Sequence, residues 1–307
     1  MPQGSHLGSL LFILFVNDIS YILQNVKLLI YADDMKLYLE IKNGHDINTF
    51  QTEIDIFHNW YNKSLLQLNV KKCNSIAFSR KRNILNNNIT LGDQIVERCS
   101  RVRDLGIILD SKLTFIEHYN AIINKANNML GFIKRFCFYF QDPYTIKTLY
   151  IAYVRSILEY CSIVWSPFQI THRIERIESV QKQFMLYALR KLGWTALPLP
   201  SYKARCMLIN IQTLKERREF AMISFVNDIV SHRIDSIELL AKLNFYTPGR
   251  HLRNRNIFAT SRCRTDYAKF GPVNHMMHVY NEHCNNIDFT MTKTGLRKYF
   301  NAVRNNR

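Results

Sequence analysis

The chain has 307 residues, 47% of them hydrophobic and 21% charged, with a mean hydropathy of −0.16, a balance that excludes a disordered or low-complexity polymer. Lys and Arg exceed Asp and Glu by 17, and the surplus grows along the chain, +2 over residues 1–84, +5 over 85–200 and +10 over 201–307, which favours a polyanionic partner over a merely soluble surface. Seven cysteines, an odd number with no closely spaced pair, exclude a disulfide framework and fit a reduced, intracellular protein, nuclear or cytoplasmic and not secreted.

After Pro2-Gln3-Gly4-Ser5, residues Leu7 to Leu23 are apolar almost all round, the mark of a helix buried inside a domain. The run from Leu10 to Val16 ends at Asp18, far short of the ~20 residues that span a bilayer, and no Lys or Arg precedes it as in a signal peptide. No membrane partner is expected. Val26 to Tyr31 and Met35 to Ile41 read as two strands joined through Asp33-Asp34; in the second, Leu37, Leu39 and Ile41 alternate with Lys36, Tyr38 and Glu40. Ile47, Phe50, Ile54, Phe57 and Trp60 set an amphipathic helix over 46–62. A short strand over Ser75 to Phe78, a hairpin from Ile89 to Val96 around Gly92-Asp93, and a strand from Leu105 to Leu109 follow.

From 117 to 193 the pattern is helical. Ile122, Ala126, Met129 and Ile133 mark one helix. Ile146 to Cys161, opened by Pro143, marks a second, and Ile174, Ile177, Val180, Phe184 and Tyr187 a third; their stripes predict a small bundle. Leu197-Pro198-Leu199-Pro200 breaks the pattern. Residues 213–230 look helical, while 244–307 are rich in Asn, Arg and His with weak periodicity. The fold class is α+β, in three regions: 1–112, 113–197 and 198–307.

A strand-turn-strand tip bearing Asp33 and Asp34 has two readings. Asp-Asp is ordinary turn chemistry. It also suits nucleotidyl transfer, in which carboxylates clamp two magnesium ions near the attacking oxygen and the leaving phosphate. The surroundings favour the second. Pro2-Gln3-Gly4-Ser5, Leu10-Leu11-Phe12, Asn17-Asp18 and Tyr31-Ala32-Asp33-Asp34 resemble adjoining motifs of reverse transcriptases of the jockey-like non-LTR retrotransposon class. Leu68-Asn69-Val70-Lys71-Lys72-Cys73 is similar to the family's lysine-bearing motif, and Arg103-Asp104-Leu105-Gly106-Ile107-Ile108-Leu109-Asp110 to its primer-grip strand. Ile157 to Cys161, Val164 to Pro167 and Arg176 to Gln181 are similar to its thumb segments.

The resemblance implies a partial polymerase palm with primer grip over 1–112, a helical thumb over 113–197, and a basic, mostly helical region over 198–307. It implies RNA-directed DNA synthesis with an RNA template, a DNA primer and deoxynucleotides as partners. Asp33 would be a principal Mg2+ ligand and Asp34 a secondary one. Gln3, Gly4 and Tyr31 would line the nucleotide site, and Lys72 would give a proton to the leaving pyrophosphate, with a solvated strand-edge lysine as its plainer reading. Leu105 and Gly106 would sit at the primer. Ser9 stands where the family usually has proline after Gly8. Because the chain opens at the Pro2-Gln3-Gly4-Ser5 motif, the family's fingers and the strand bearing another essential aspartate are expected to be missing, leaving the two-metal site incomplete and the chain inactive alone; a non-catalytic nucleic-acid-binding remnant is the alternative.

Arg80, Lys81 and Arg82, then Arg98, Arg101 and Arg103, then Arg250, Arg253 and Arg255 with Arg262 and Arg264, form basic clusters that fit phosphate contact or plain solvation. Arg80, Arg82, Arg101 and Arg103, near the primer-grip segment, are the candidates for nucleic-acid contact. Cys263, His275, His278, His283 and Cys284 lack the close pair at each end that a zinc finger uses, and read as scattered structural or surface residues.

Overall fold

The computed structural model describes residues 6–81, 88–140, 142–166, 171–195, 198–247, 256–260 and 262–305. The chain divides into two compact units, 1–114 and 115–307. The architecture mixes helices with small two-stranded sheets, as an α+β reading requires.

Unit one opens with α1 (His6–Val16) and α2 (Ile19–Ile22), followed by the strands β1 (Lys27–Tyr31) and β2 (Asp34–Tyr38). The long helix α3 (Gly44–Lys63) carries its own start signal. The Asn43 side chain accepts from the His45 and Asp46 amides while the Asp46 carboxylate accepts from Asn43 N, a reciprocal capping box. Its buried face, Ile54, Phe57, Trp60 and Tyr61, gathers Val16, Ile19, Leu23, Leu91 and Val96 into one core. A 3-10 turn over Val70–Lys72 leads to β3 (Asn74–Ser75). Next come β4 (Thr90–Leu91), β5 (Gln94–Ile95), β6 (Glu97–Arg98), β7 (Arg101–Asp104) and β8 (Ile107–Asp110). β1 pairs with β2, β4 with β5 and β7 with β8, all antiparallel, and β3 with β6 in parallel.

Three expectations change here. The first helix is not buried all round. Phe12 and Val16 join the α3 core, but Leu7, Leu10, Leu11, Ile13 and Leu14 are exposed, because among the described residues α3 covers only one side of α1. The segment around Leu105 is a hairpin and not one strand: Leu105 and Gly106 take φ of 43° and 85°, and positive φ at both central residues closes a two-residue turn. The strand foreseen over 75–78 is confined to Asn74–Ser75. The hairpin around Gly92 forms as expected, and glycine is needed there twice over. Its φ is +60°, and a Cβ would meet His58 of α3 at 2.7 Å.

Unit two is helical. Its first part holds α4 (Ile116–Phe136), α5 (Pro143–Leu149), a π-helical turn over Tyr150–Arg155, α6 (Ser156–Glu159), α7 (Ser162–Trp165) and α8 (Thr171–Lys191). Ala126, Leu130, Ile146, Tyr150, Val154, Leu158, Ile177 and Phe184 are fully or almost fully buried, and the Tyr150 and Phe184 rings stack at 3.9 Å. Asp142 caps α5 through the Tyr144 and Thr145 amides, with Pro143 at the first turn. Then follow α9 (Tyr202–Leu208), α10 (Leu214–Val230), α11 (Ile237–Leu240), α12 (Asp266–Lys269), α13 (Pro272–His283) and α14 (Lys293–Asn305). Met222, Val226, Met277, Tyr280, Leu296 and Phe300 make the core of α10, α13 and α14.

Among the described residues β1 and β2 pair only with each other, and Leu29, Ile30 and Tyr31 remain exposed. The residues that line the α4–α8 core are buried by comparison. Backbone amides of β1 and β2 should therefore exchange with solvent at least ten times faster than those in the middle of α4 and α8, measured by hydrogen exchange and mass spectrometry on peptides. Equal protection would contradict this account of the hairpin.

Candidate functional site

The register of the first hairpin sets the geometry of its tip. Tyr31 pairs with Asp34, and Ile30 with Met35, so Ala32 and Asp33 form a two-residue loop. Ala32 takes φ of 53°, the left-handed value that primed hairpin turns need at the first loop position and that a Cβ disfavours. Asp33 and Asp34 follow at once and are exposed, which brings two carboxylates to one end of a two-stranded ribbon. Lys27, Leu29 and Tyr31 alternate with Leu28 and Ile30 along β1, so the exposed Tyr31 ring ends a strand right beside the loop.

Two anchors on α3 hold this ribbon. Glu53 is only 2% exposed, and its carboxylate accepts from Gln24 N at 3.2 Å, Asn25 N at 3.0 Å and Asn25 Nδ2 at 2.7 Å, fixing the backbone that runs into β1. Nothing in the sequence pattern singled out Glu53, because it sits within the helix as an ordinary acidic residue. Nearer the tip, the Tyr61 hydroxyl donates to Met35 Sδ at 3.6 Å. Burial pushes the Tyr61 phenol above its ordinary value, and the nearby Cys73 and Asp33 add to the rise. The segment ending in Lys72-Cys73 and the Asp33 tip thus lie within electrostatic reach of one tyrosine. Lys72 itself is exposed at the end of the 3-10 turn, with its amide donating to Asn69 O at 2.9 Å.

The β7–β8 hairpin is tied to the β1–β2 hairpin by an ion pair between Lys36 Nζ and Asp104 Oδ1 at 2.5 Å. Leu105 and Gly106 form its exposed tip. Arg101 and Arg103 alternate with Val102 along β7 and are both exposed. Arg80 is engaged locally: Nε and Nη2 donate to Lys112 O at 3.2 and 3.0 Å, so part of its fork orders a loop. Asp110 is a turn organiser, accepting from Lys112 N, Thr114 N and the Thr114 hydroxyl. Gln3, Gly4 and Arg82 lie outside the described residues, as do Arg250, Arg253 and Arg255.

Among the described residues no group of three or more His, Cys, Asp or Glu side chains converges as a metal site. Asp33 and Asp34 supply two hard oxygen donors from one turn, which suits part of a magnesium site. Farther along, His283 is a core residue: Nδ1 lies 2.9 Å from the Tyr299 hydroxyl, and the ring packs on Phe300. His275 is held down to about 4 by burial, with His278 adding to the shift. No helix among the described residues is long and apolar enough to cross a membrane.

The left-handed alanine yields a direct test. Ala32→Gly should stabilise unit one by about 0.5–1 kcal/mol, since the ~1–2 kcal/mol cost of the left-handed conformation exceeds the entropy that glycine adds to the unfolded chain. Ala32→Val should destabilise it. Urea denaturation of the two variants checks the pair, and a destabilising glycine would contradict the turn geometry.

Residues 1–126 match the family model described as reverse transcriptase (RNA-dependent DNA polymerase). The chain is also 27% identical over 130 residues to the RNA-directed DNA polymerase from mobile element jockey of Drosophila melanogaster, a match that covers 40% of this chain and 14% of that protein. No solved structure matches the chain. Residues 1–126 are therefore similar in sequence to reverse transcriptases, one of them from a mobile element.

Proposed function

We propose that residues 1–112 are part of the palm and primer grip of an RNA-directed DNA polymerase, with Asp33 as a principal magnesium ligand and Asp34 as a secondary one. Residues 113–197 are proposed as its thumb and 198–307 as an added basic region. The observation that carries this reading is the tip itself: two exposed carboxylates on a strained two-residue turn, on a hairpin anchored to α3 and ion-paired to the β7–β8 hairpin. Strain concentrated at a loop of two residues is more economical as a device for aiming side chains than as ordinary turn chemistry, for which glycine or asparagine serves at lower cost.

In this reading Tyr31, next to the turn, bounds the nucleotide pocket with Gln3 and Gly4. Lys72 would be the cation for the charge that develops on pyrophosphate. Leu105 and Gly106 present a hairpin tip to the primer end, and Arg101 and Arg103 offer guanidinium groups to the backbone phosphates of an RNA template and DNA primer. Arg80 and Arg82 are proposed as further contacts to those phosphates. A bound divalent ion supplies neutralisation of phosphate charge; further ligands for it have to come from outside the described residues. Binding of nucleic acid without catalysis is the second reading, favoured by the +17 charge.

Manganese provides a spectroscopic stand-in for magnesium at carboxylate sites. Titration of the whole chain with Mn2+, followed by electron paramagnetic resonance, should show weak binding that Asp33→Asn lowers about tenfold or more and Asp34→Asn lowers less. The same proteins, given a primed RNA template and deoxynucleotides, should bind the template in a salt-sensitive way, and any extension product should disappear in Asp33→Ala. Mn2+ binding untouched by both substitutions, or extension that persists in Asp33→Ala, would overturn the assignment.

A further inference from the structure

The carboxyl-terminal half of α4 and the loop after it expose a set of aromatic rings that the core does not use. Ile122, Ala126, Leu130 and Ile133 fill the buried face of this helix, while Phe132 and Phe136 stand on the other side, 54% and 61% exposed. Phe140 continues the row at 48% exposure. The rings are nearly parallel, with centroids 5.9 Å apart and planes at 15° for Phe132–Phe136, then 6.2 Å and 19° for Phe136–Phe140. Phe138 and Tyr139 add an edge-to-face pair, 65% and 88% exposed. Five aromatic side chains within nine residues is far beyond the scattered exposure that needs no explanation.

Cations accompany these aromatics. Lys134 and Arg135 belong to the last turn of α4, Arg135 flanking the Phe132–Phe136 face and Lys134 turned toward α8, and Arg190 and Lys191 stand at the end of α8, where Lys191 Nζ donates to Phe138 O at 2.5 Å and lies 5.8 Å from the Phe138 ring. Lys134 and Lys191 both sit about 6 Å from the Tyr187 ring. Among the described residues none of the four has a carboxylate partner. Both α4 and α8 end here, and two helix carboxyl termini absorb only about half a charge each, so roughly three positive charges remain unneutralised. Burial, with a smaller contribution from the neighbouring Arg190, lowers the pKa of Lys134.

We propose that this aromatic and basic platform on unit two binds single-stranded nucleic acid, with unpaired bases stacking on Phe132, Phe136 and Phe140 and the backbone held by Lys134, Arg135, Arg190 and Lys191. The chemistry of the surface selects that partner. An uncharged protein face would bury the rings but strand the cations without counter-charge. A duplex would satisfy the cations but hides the flat faces of its bases. A single strand offers both, alternating phosphates and open π-faces. The platform lies outside residues 1–126 and uses none of the residues proposed for polymerisation, so it goes beyond that reading and either can fail alone.

The test uses the full chain and fluorescence anisotropy with a labelled oligoadenylate RNA of about twelve nucleotides, the corresponding blunt duplex, and vesicles rich in phosphatidylserine. The chain should prefer the single strand. Phe136→Leu with Phe140→Leu should weaken that binding about tenfold or more, with its salt dependence unchanged, while Phe136→Tyr with Phe140→Tyr keeps it. Lys134→Gln with Arg135→Gln should lower the slope of log K against log salt by about 1.4, two contacts at ~0.7 each. Circular dichroism confirms that each variant folds. Undiminished affinity in the leucine pair, preference for the duplex, or a loss confined to vesicle binding would overturn the proposal, the last by assigning the surface to a membrane.

Discussion

One buried carboxylate positions the aspartate tip. The ribbon that carries Asp33 and Asp34 has few lateral supports, since among the described residues its two strands pair only with each other. What places it is Glu53 of α3, which takes three hydrogen bonds from Gln24 and Asn25 just before β1 begins. Hydrogen bonds to a charged acceptor contribute about 1.5–3 kcal/mol each, more than neutral ones. Tyr61, two turns farther along the same helix, meets Met35 beside the tip. A single helix with a strong amino-terminal cap thus fixes the ribbon at both its base and its end.

Unit two distributes its polar anchoring differently. Glu178, buried on α8, accepts from the Lys215 amide at 2.8 Å and from the Tyr202 hydroxyl at 2.6 Å, and thereby caps α10. Burial and the Glu178 charge push the Tyr202 phenol far above its ordinary range. Arg217 forms two 2.8 Å bonds to Glu159 of α6, the parallel fork geometry that makes such pairs strong. Polar groups here link helix to helix, whereas among the described residues of unit one apolar side chains of α1 and β1 are exposed. The contrast places rigidity in the helical unit and adaptability around the carboxylate tip. It also explains why a surplus of exposed aromatic rings at the end of α4 stands out: its neighbours are already packed.

Much of this was legible from residues alone. Pro143, the Gly92-Asp93 turn and the stripe of Ile54, Phe57 and Trp60 are local signals, and local physics realises them. The hairpin around Asp33 was legible from alternation in Met35 to Ile41. Three things were not. The turn at Leu105-Gly106 hid inside an apolar run, because leucine seldom takes positive φ and its neighbours decide the matter. The π-helical turn over Tyr150–Arg155 leaves the apolar stripe looking continuous, so residues 146–161 read as one helix. In 272–305 the mostly helical character was legible but the bounds of α13 and α14 were not, because His283, Asn281 and Tyr299 interrupt the apolar pattern while serving the core through hydrogen bonds. Glu53 belongs to the same class: a charged residue whose role is set by partners 28 and 29 positions away.

The placement of the tip depends on Glu53, and the amides of Gln24 and Asn25 report on it directly. They belong to a short connection between α2 and β1, where unprotected amides would exchange at once. Residue-resolved hydrogen exchange by nuclear magnetic resonance should find both amides slowed in the parent protein. In Glu53→Ala both should become fast, β1 and β2 should lose protection with them, and α4 and α8 should stay unchanged. Fast exchange at Gln24 and Asn25 in the parent, or protection that survives the substitution, would show that something other than this carboxylate holds the aspartate tip in place.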